Sequence, residues 1–135
     1  MFLLNNPGFN LLENSLNASA LRQKVISNNI ANVDTPLFKR SDVQFEELLR
    51  KQMDNQQTLT GIRTDSRHFN IGNASAPVTA KVVEDRNTAL NNNLNNVDVD
   101  YEMSLMAKNQ LTYNTIIQQV GGEIKHLRTA IGGVR

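Results

Sequence analysis

The side chains able to do chemistry are few, and their spacing is unpromising. Cysteine is absent, which excludes disulfides, thiolate nucleophiles and Cys-ligated zinc in any compartment. The two histidines, His68 and His126, are far apart in sequence. His68 sits in Asp65-Ser66-Arg67-His68, which has no metal-ligand spacing, and His126 falls near the end of a predicted helix, where a surface cation suits the helix dipole. Glu46-Glu47 is an adjacent carboxylate pair, but neighbouring helical positions point about 100° apart, so the pair reads as solvated rather than as an acid and base facing one substrate. Asp98, Asp100 and Glu102 read as an acidic helix start, because a calcium loop needs more ligands and a turn glycine. No Gly-x-Ser-x-Gly, P-loop or dinucleotide glycine pattern occurs. No catalytic residue, metal or cofactor is therefore expected.

The odd polar feature is asparagine, with 19 copies. Asn28, Asn29 and Asn32 lie on a predicted helix although Asn is a poor helix former, and Asn28 and Asn32 share a face with Leu21 and Val25. Two readings stand: local capping and solvent exposure, or hydrogen bonds that set register between packed helices.

The elements that would carry these residues lie at the two chain ends. A first helix is predicted from Pro7 to Val33, with Asn6 as N-cap and Pro7 at the first helical position, where its missing N–H is harmless. Phe9, Leu12, Leu16, Ala20, Ser27 and Ile30 form one stripe, and Leu11, Ala18, Leu21, Val25, Asn28 and Asn32 a second. Asp34-Thr35-Pro36 ends the helix, since the residue before proline is pushed out of the helical region. The last segment carries the strongest periodicity. Met103, Met106, Gln110, Tyr113, Ile117, Val120, Ile124, Leu127, Ile131 and Val134 alternate steps of three and four, a heptad seam over more than four repeats. Lys125, His126 and Arg128 sit near its end.

Length decides the architecture. A helix from Val99 to Gly133 is roughly 52 Å long and its N-terminal counterpart roughly 40 Å, whereas a compact globule of this size is only about 36 Å across. The expected fold is mainly α: an elongated antiparallel coiled coil of N- and C-terminal helices. Residues 1–36 and 97–135 supply its core, and residues 37–96 a short helix plus a small loop- and β-rich middle region. The short helix is expected from Ser41 to Asp54, with Ser41 and Gln44 as a capping box and Phe45, Leu48, Leu49 and Met53 as its apolar face. Val78 to Glu84 partly alternates and suggests a strand, with a turn at Asp85-Arg86-Asn87. Leu59–Arg63 and Phe69–Ile71 are weaker strand candidates, punctuated by Gly61, Gly72 and Pro77. The second N-terminal stripe, with Leu105, Thr112 and Ile116, would stay wet in a lone chain, so partner helices are expected, most economically from copies of the chain itself.

Composition agrees. Leu, Ile, Val and Phe make up about 28% of the 135 residues, above the roughly 20% where disorder becomes the default. The net charge of +1 gives no reason to expect nucleic acid or an anionic membrane as partner. No run approaches the roughly 18 apolar residues of a membrane helix, so no lipid insertion is expected. The Met1-Phe2-Leu3-Leu4 start is too short for a cleaved secretory signal.

Two stretches carry a family resemblance. Ser27-Asn28-Asn29-Ile30-Ala31-Asn32-Val33-Asp34-Thr35-Pro36 resembles the SNNIAN-x-x-TP signature of bacterial flagellar rod and hook proteins. Leu37-Phe38-Lys39-Arg40 follows where that family usually has Gly-Tyr-Lys. Asn96-Val97-Asp98-Val99-Asp100-Tyr101-Glu102-Met103, then Ala107-Lys108-Asn109, Tyr113 and the ending Leu127-Arg128-Thr129-Ala130-Ile131, resemble the C-terminal signature of the proximal-rod members. The short length is unlike hook and distal-rod members, which carry added domains.

The resemblance implies a structural subunit of the flagellar basal body, exported by the type III apparatus without a cleaved signal peptide. It would polymerise helically in the periplasmic rod to transmit torque and line the export channel. Its partners would be copies of itself, other rod proteins, the adaptor FliE and, during secretion, the type III export gate, for which Phe45-Glu46-Glu47-Leu48-Leu49 fits the Phe-x-x-x-aliphatic motif through Phe45 and Leu49. Asn28, Asn29, Ile30, Ala31, Asn32, Asp34, Thr35 and Pro36 carry over as the bend and interface after the first helix. The expected assembly seam comprises Met103, Met106, Tyr113, Ile117, Val120, Ile124, Leu127 and Ile131 with Leu11, Leu12, Leu16, Leu21, Val25 and Ile30. Two alternatives come from other classes: a small periplasmic peptidoglycan-modifying enzyme, which would need a carboxylate or metal site in the middle region, and a cytoplasmic coiled-coil adaptor.

Overall fold

The computed structural model describes residues 7–55, 78–90 and 93–133. Five elements follow in order: α1 (Pro7–Ala31), β1 (Ser41–Gln44), α2 (Glu46–Asn55), β2 (Lys81–Glu84) and α3 (Val99–Gly132). The protein is mainly helical, as the two terminal periodicities require. Asn29 of α1 meets Glu102 at the start of α3, while Ser19, further back along α1, meets Asn109, further along α3. The two helices therefore run antiparallel. At 1.5 Å per residue α3 is ~51 Å long and α1 ~37 Å, so the pair sets an elongated shape.

Both helices end for local reasons. Asp98 caps α3 in an extended conformation, its carboxylate accepting from the backbone N–H groups of Asp100 and Tyr101. Asp100 lies in the first turn, where a negative charge suits the dipole. At the other end Gly133 takes φ +65°. Helix α1 stops at Ala31, two residues before the expected end. Its last bonds, Asn32 N–H to Asn29 O and Val33 N–H to Ile30 O, are of the tighter i to i−3 kind.

The short helix differs from expectation at its start. Ser41 to Gln44 is a strand, paired antiparallel with β2 in the register Ser41 with Glu84 through Gln44 with Lys81. The capping box is thus not used. The partner strand lies forty residues further on, and Ser41 exchanges two hydrogen bonds with the Asn29 side chain, so tertiary pairing overrides the local signal. Helix α2 starts at Glu46, with the Leu49 N–H bonded to the Phe45 carbonyl. The expected strand near Val78–Glu84 is realised as Lys81–Glu84. Asp85 then closes the turn, accepting from Asn87 N–H and Thr88 Oγ1. The candidates at Leu59–Arg63 and Phe69–Ile71 lie outside the described residues.

Among the described residues the buried apolar core is small. Ala18 and Ile26 from α1, Val43 and Phe45 beside the ribbon and Val97 before α3 are its buried members. Buried polar groups are as prominent: Ser19, Asn29, Asn95, Asn96, Glu102 and Asn109.

Candidate assembly surface

The seam between α1 and α3 keeps the expected heptad spacing but is rotated. Met106, Tyr113, Val120 and Leu127 are half-buried. Between them come Glu102, Asn109 and Ile116, each one residue before an expected seam position. Met103, Ile117, Ile124 and Ile131 instead stay 55%, 45%, 50% and 72% exposed. On α1, Leu12, Leu16, Leu21, Val25 and Ile30 are half-buried and Leu11 is exposed, while Ser19, Ile26 and Asn29, which belonged to neither predicted stripe, are buried. An apolar count follows Met103, Ile117 and Ile124 and passes over Glu102 and Asn109, because it assigns polar letters to solvent.

Those polar residues are buried because each has partners. Glu102, with no exposed surface, accepts from Arg40 Nε at 2.5 Å and from Asn29 Nδ2 at 3.2 Å. Asn29 Nδ2 also donates to the Ser41 carbonyl at 2.8 Å, and Asn29 Oδ1 accepts from Ser41 N–H at 3.1 Å. One amide thus ties α1, β1 and α3. The Arg40 guanidinium lies 5.2 Å from the Tyr101 ring centre, a cation–π distance. Burial works against the charge on Arg40, but the hydrogen bond and charge of Glu102, together with the nearby Asp42 and Tyr101, jointly exceed it and hold the guanidinium above its already high pKa.

A second knot holds the turn after α1. Asn95 Nδ2 lies 2.9 Å from each of the carbonyls of Asn32, Val33 and Thr35, and Asn95 Oδ1 accepts from Val97 N–H at 2.7 Å. Asn96 Oδ1 accepts from Arg40 N–H, and its Nδ2 donates to the Asp85 carbonyl and Thr88 Oγ1. Lys39 Nζ donates to the carbonyls of Thr88 and Leu94, both at 2.8 Å. The carbonyls of the turn after α1 are thereby tied down by one side chain, Asn95, roughly sixty positions away.

The signature residues divide accordingly. Asn29 is the register-setting asparagine. Asn28 is exposed, and Asn32 bonds locally to the Asn28 carbonyl and Thr35 Oγ1. Ile30 is half-buried, while Ala31, Asp34, Thr35 and Pro36 are exposed. The turn after Pro36 forms although leucine stands at the glycine position: Leu37 takes φ +64° and is 68% exposed, with its N–H bonded to the Asn93 carbonyl. Phe45 is 4% exposed and Leu49 half-buried. Glu46 pairs with Arg22 at 2.6 Å while most of its side chain stays exposed. Burial raises the Glu46 pKa, but the Arg22 hydrogen bond, a backbone hydrogen bond and the charges of Arg22 and Lys108 together exceed it, leaving the carboxyl below its ordinary value. Glu47 and His126 are exposed, and His68 lies outside the described residues.

Among the described residues no group of three His, Asp or Glu side chains could hold a metal ion, and no helix is long and apolar enough to cross a membrane. The arrangement is suited to presenting long helical faces.

Comparison with known proteins agrees with that geometry. The family model described as "Flagella basal body rod protein" matches residues 9–39. The flagellar basal body rod protein FlgB of Bacillus subtilis (strain 168) is 38% identical over 122 residues, covering 90% of this chain and 91% of that protein. FlgB of Borreliella burgdorferi is 41% identical over 103 residues, with 73% and 76% covered. FlgB of Escherichia coli (strain K12) is 30% identical over 123 residues, with 88% of each chain covered. The chain belongs to the FlgB family of flagellar basal body rod proteins.

Proposed function

We propose that the chain is a non-enzymatic building block of the periplasmic rod, polymerising helically through its terminal helices to transmit torque and line the export channel. The observation that carries this is the unused half of the α3 heptad. Met103, Ile117, Ile124 and Ile131 repeat at steps of seven or fourteen along one exposed face, a pattern that needs a further helix to cover it. Burying each such side chain stabilises an interface by about 1.5–3 kcal/mol, so many parallel seams would resist twisting. Other rod proteins and the adaptor FliE would meet the same kind of face at the ends of a stack. Export would proceed through the type III gate without a cleaved signal. Because Phe45 is buried in the folded chain, the gate would read Phe45 and Leu49 before folding.

The test is the pair Ile117→Asp and Ile124→Asp. Both side chains are about half exposed, so the isolated variant should melt within a few degrees of the parent. Incorporation into purified basal bodies should fall at least tenfold, with synthesis unchanged. Normal rods containing the double variant would refute the reading.

A further inference from the structure

We propose that Gly121 and Gly122 form a hinge in α3, about which the last ten residues of the helix swing off the line of α1. The bend itself is a property of the single chain; its use in assembly rests on the self-assembly reading above. Glycine serves a helix interior badly, because it gives up more backbone freedom than any other residue, and alanine is the better helix former at either position. Two structural uses ordinarily offset that loss. One is a left-handed backbone, which among the described glycines only Gly133 adopts. The other is room for a close neighbour, but among the described residues a Cβ built at Gly121 or at Gly122 meets nothing within 4 Å. Neither use applies to the helix as it stands. The two glycines are adjacent and face about 100° apart, so a single neighbouring helix could not use the room left by both. What an adjacent pair does supply is loss of bending stiffness, and such pairs are among the few causes of sharp helix kinks.

The pair lies where α3 outruns its partner. Asn109 bonds to Ser19 of α1. Twelve residues further along α3 comes Gly121, and twelve residues back along α1 comes Pro7, its first residue. The helices run antiparallel and rise equally, by about 1.5 Å per residue, so α1 begins level with the glycines. Beyond them α3 continues from Glu123 to Gly132 for ~15 Å. Bending at this level leaves the contacts of Glu102 and Asn109 with α1 in place. Ile124 and Ile131, 50% and 72% exposed, lie on the part that moves, and Met103 and Ile117 on the part that does not. Ile131 is ~14 Å from Gly122 along the axis, so a bend of about 30° carries it about 7 Å sideways. That approaches the roughly 8–10 Å between packed helices. The hinge thus decides whether the far end of the apolar stripe meets the same neighbour as the rest of it or the next one.

Spin labels on either side of the glycines test the hinge in the full chain. There is no native cysteine, so Lys108→Cys with Thr129→Cys places labels at two exposed α3 positions and nowhere else. On a straight helix these lie ~32 Å apart. Double electron–electron resonance on the purified protein should show that distance and a second population a few ångströms shorter. Adding Gly121→Ala with Gly122→Ala should abolish the shorter population and raise the melting temperature. A single narrow distance in the parent, or a short population that survives the alanines, would overturn the proposal. So would coil-like 13Cα shifts at residues 123–131, since the end would then be unwinding rather than swinging. Incorporation of the alanine variant into basal bodies should fall at least fivefold; incorporation at the parent level would overturn the hinge's part in assembly. Ile117→Asp with Ile124→Asp tests self-assembly separately: if that variant incorporates normally while the parent shows two distances, the self-assembly reading falls and the hinge stands.

Discussion

Replacing Arg40 with methionine should be among the most damaging single changes in this chain. The Glu102 carboxylate has no exposed surface, and Arg40 is its sole cationic partner among the described residues. With Arg40 gone, Glu102 keeps the Asn29 amide at 3.2 Å, one neutral hydrogen bond for a buried charge. Breaking a buried pair from one side costs about 3–5 kcal/mol, against a total stability of about 5–15 kcal/mol for a small domain. For a chain of this size the loss corresponds to about 10–20 °C in Tm. The double variant Arg40→Met with Glu102→Leu removes charge and counter-charge together and should recover at least ~2 kcal/mol of the single-variant loss. Urea denaturation followed by far-UV circular dichroism measures all three. A loss below ~1 kcal/mol for the single variant, or strictly additive losses in the double, would refute the claim that Glu102 is held by its partner.

Two further outcomes follow from local features. Leu37→Gly should stabilise the chain by roughly 0.5–1 kcal/mol in the same urea assay. The left-handed backbone costs a leucine about 1–2 kcal/mol, part of which is returned through glycine's freer unfolded chain, and the exposed side chain contributes little packing. Glu46→Gln should weaken the chain slightly at pH 7 and less so at pH ~3. A carboxyl whose folded pKa lies below its unfolded value adds stability above the unfolded pKa of about 4.3 and loses it as pH falls through the folded pKa. Since Glu46 is mostly exposed, the effect stays below ~1 kcal/mol, and urea midpoints at the two pH values check it.

The long helices were legible because their signals are local: a cap at Asp98, Pro7 at a first turn, a proline shortly after the end, and apolar periodicity between. The rotation of the seam was not, because the phase is set by Glu102 and Asn109, whose burial depends on Arg40, Asn29, Ser19 and Gln23, distant in sequence. The same holds for Ser41–Gln44. Its capping-box letters are local, and what defeats them is a strand at Lys81–Glu84 and an amide on α1. Asn29 lies within the family signature, yet periodicity points to Asn28 and Asn32. One signal could have favoured it: Asn29 lies three residues beyond Ile26 and ten beyond Ser19, on the face that proves to be buried.

The bond between Asn29 and Glu102 joins positions 73 residues apart, and this bears on how the molecule comes to be folded. Drawing together the ends of a flexible loop of that length carries an entropy penalty of ~4 kcal/mol on the logarithmic term alone, and none of it is repaid until α1 and α3 touch. Helical proteins usually fold fast because their contacts are near neighbours along the chain. Here the mating of head and tail is the most remote contact available, so a newly made chain would spend longer open, with its helices unmated, than its helical content would suggest.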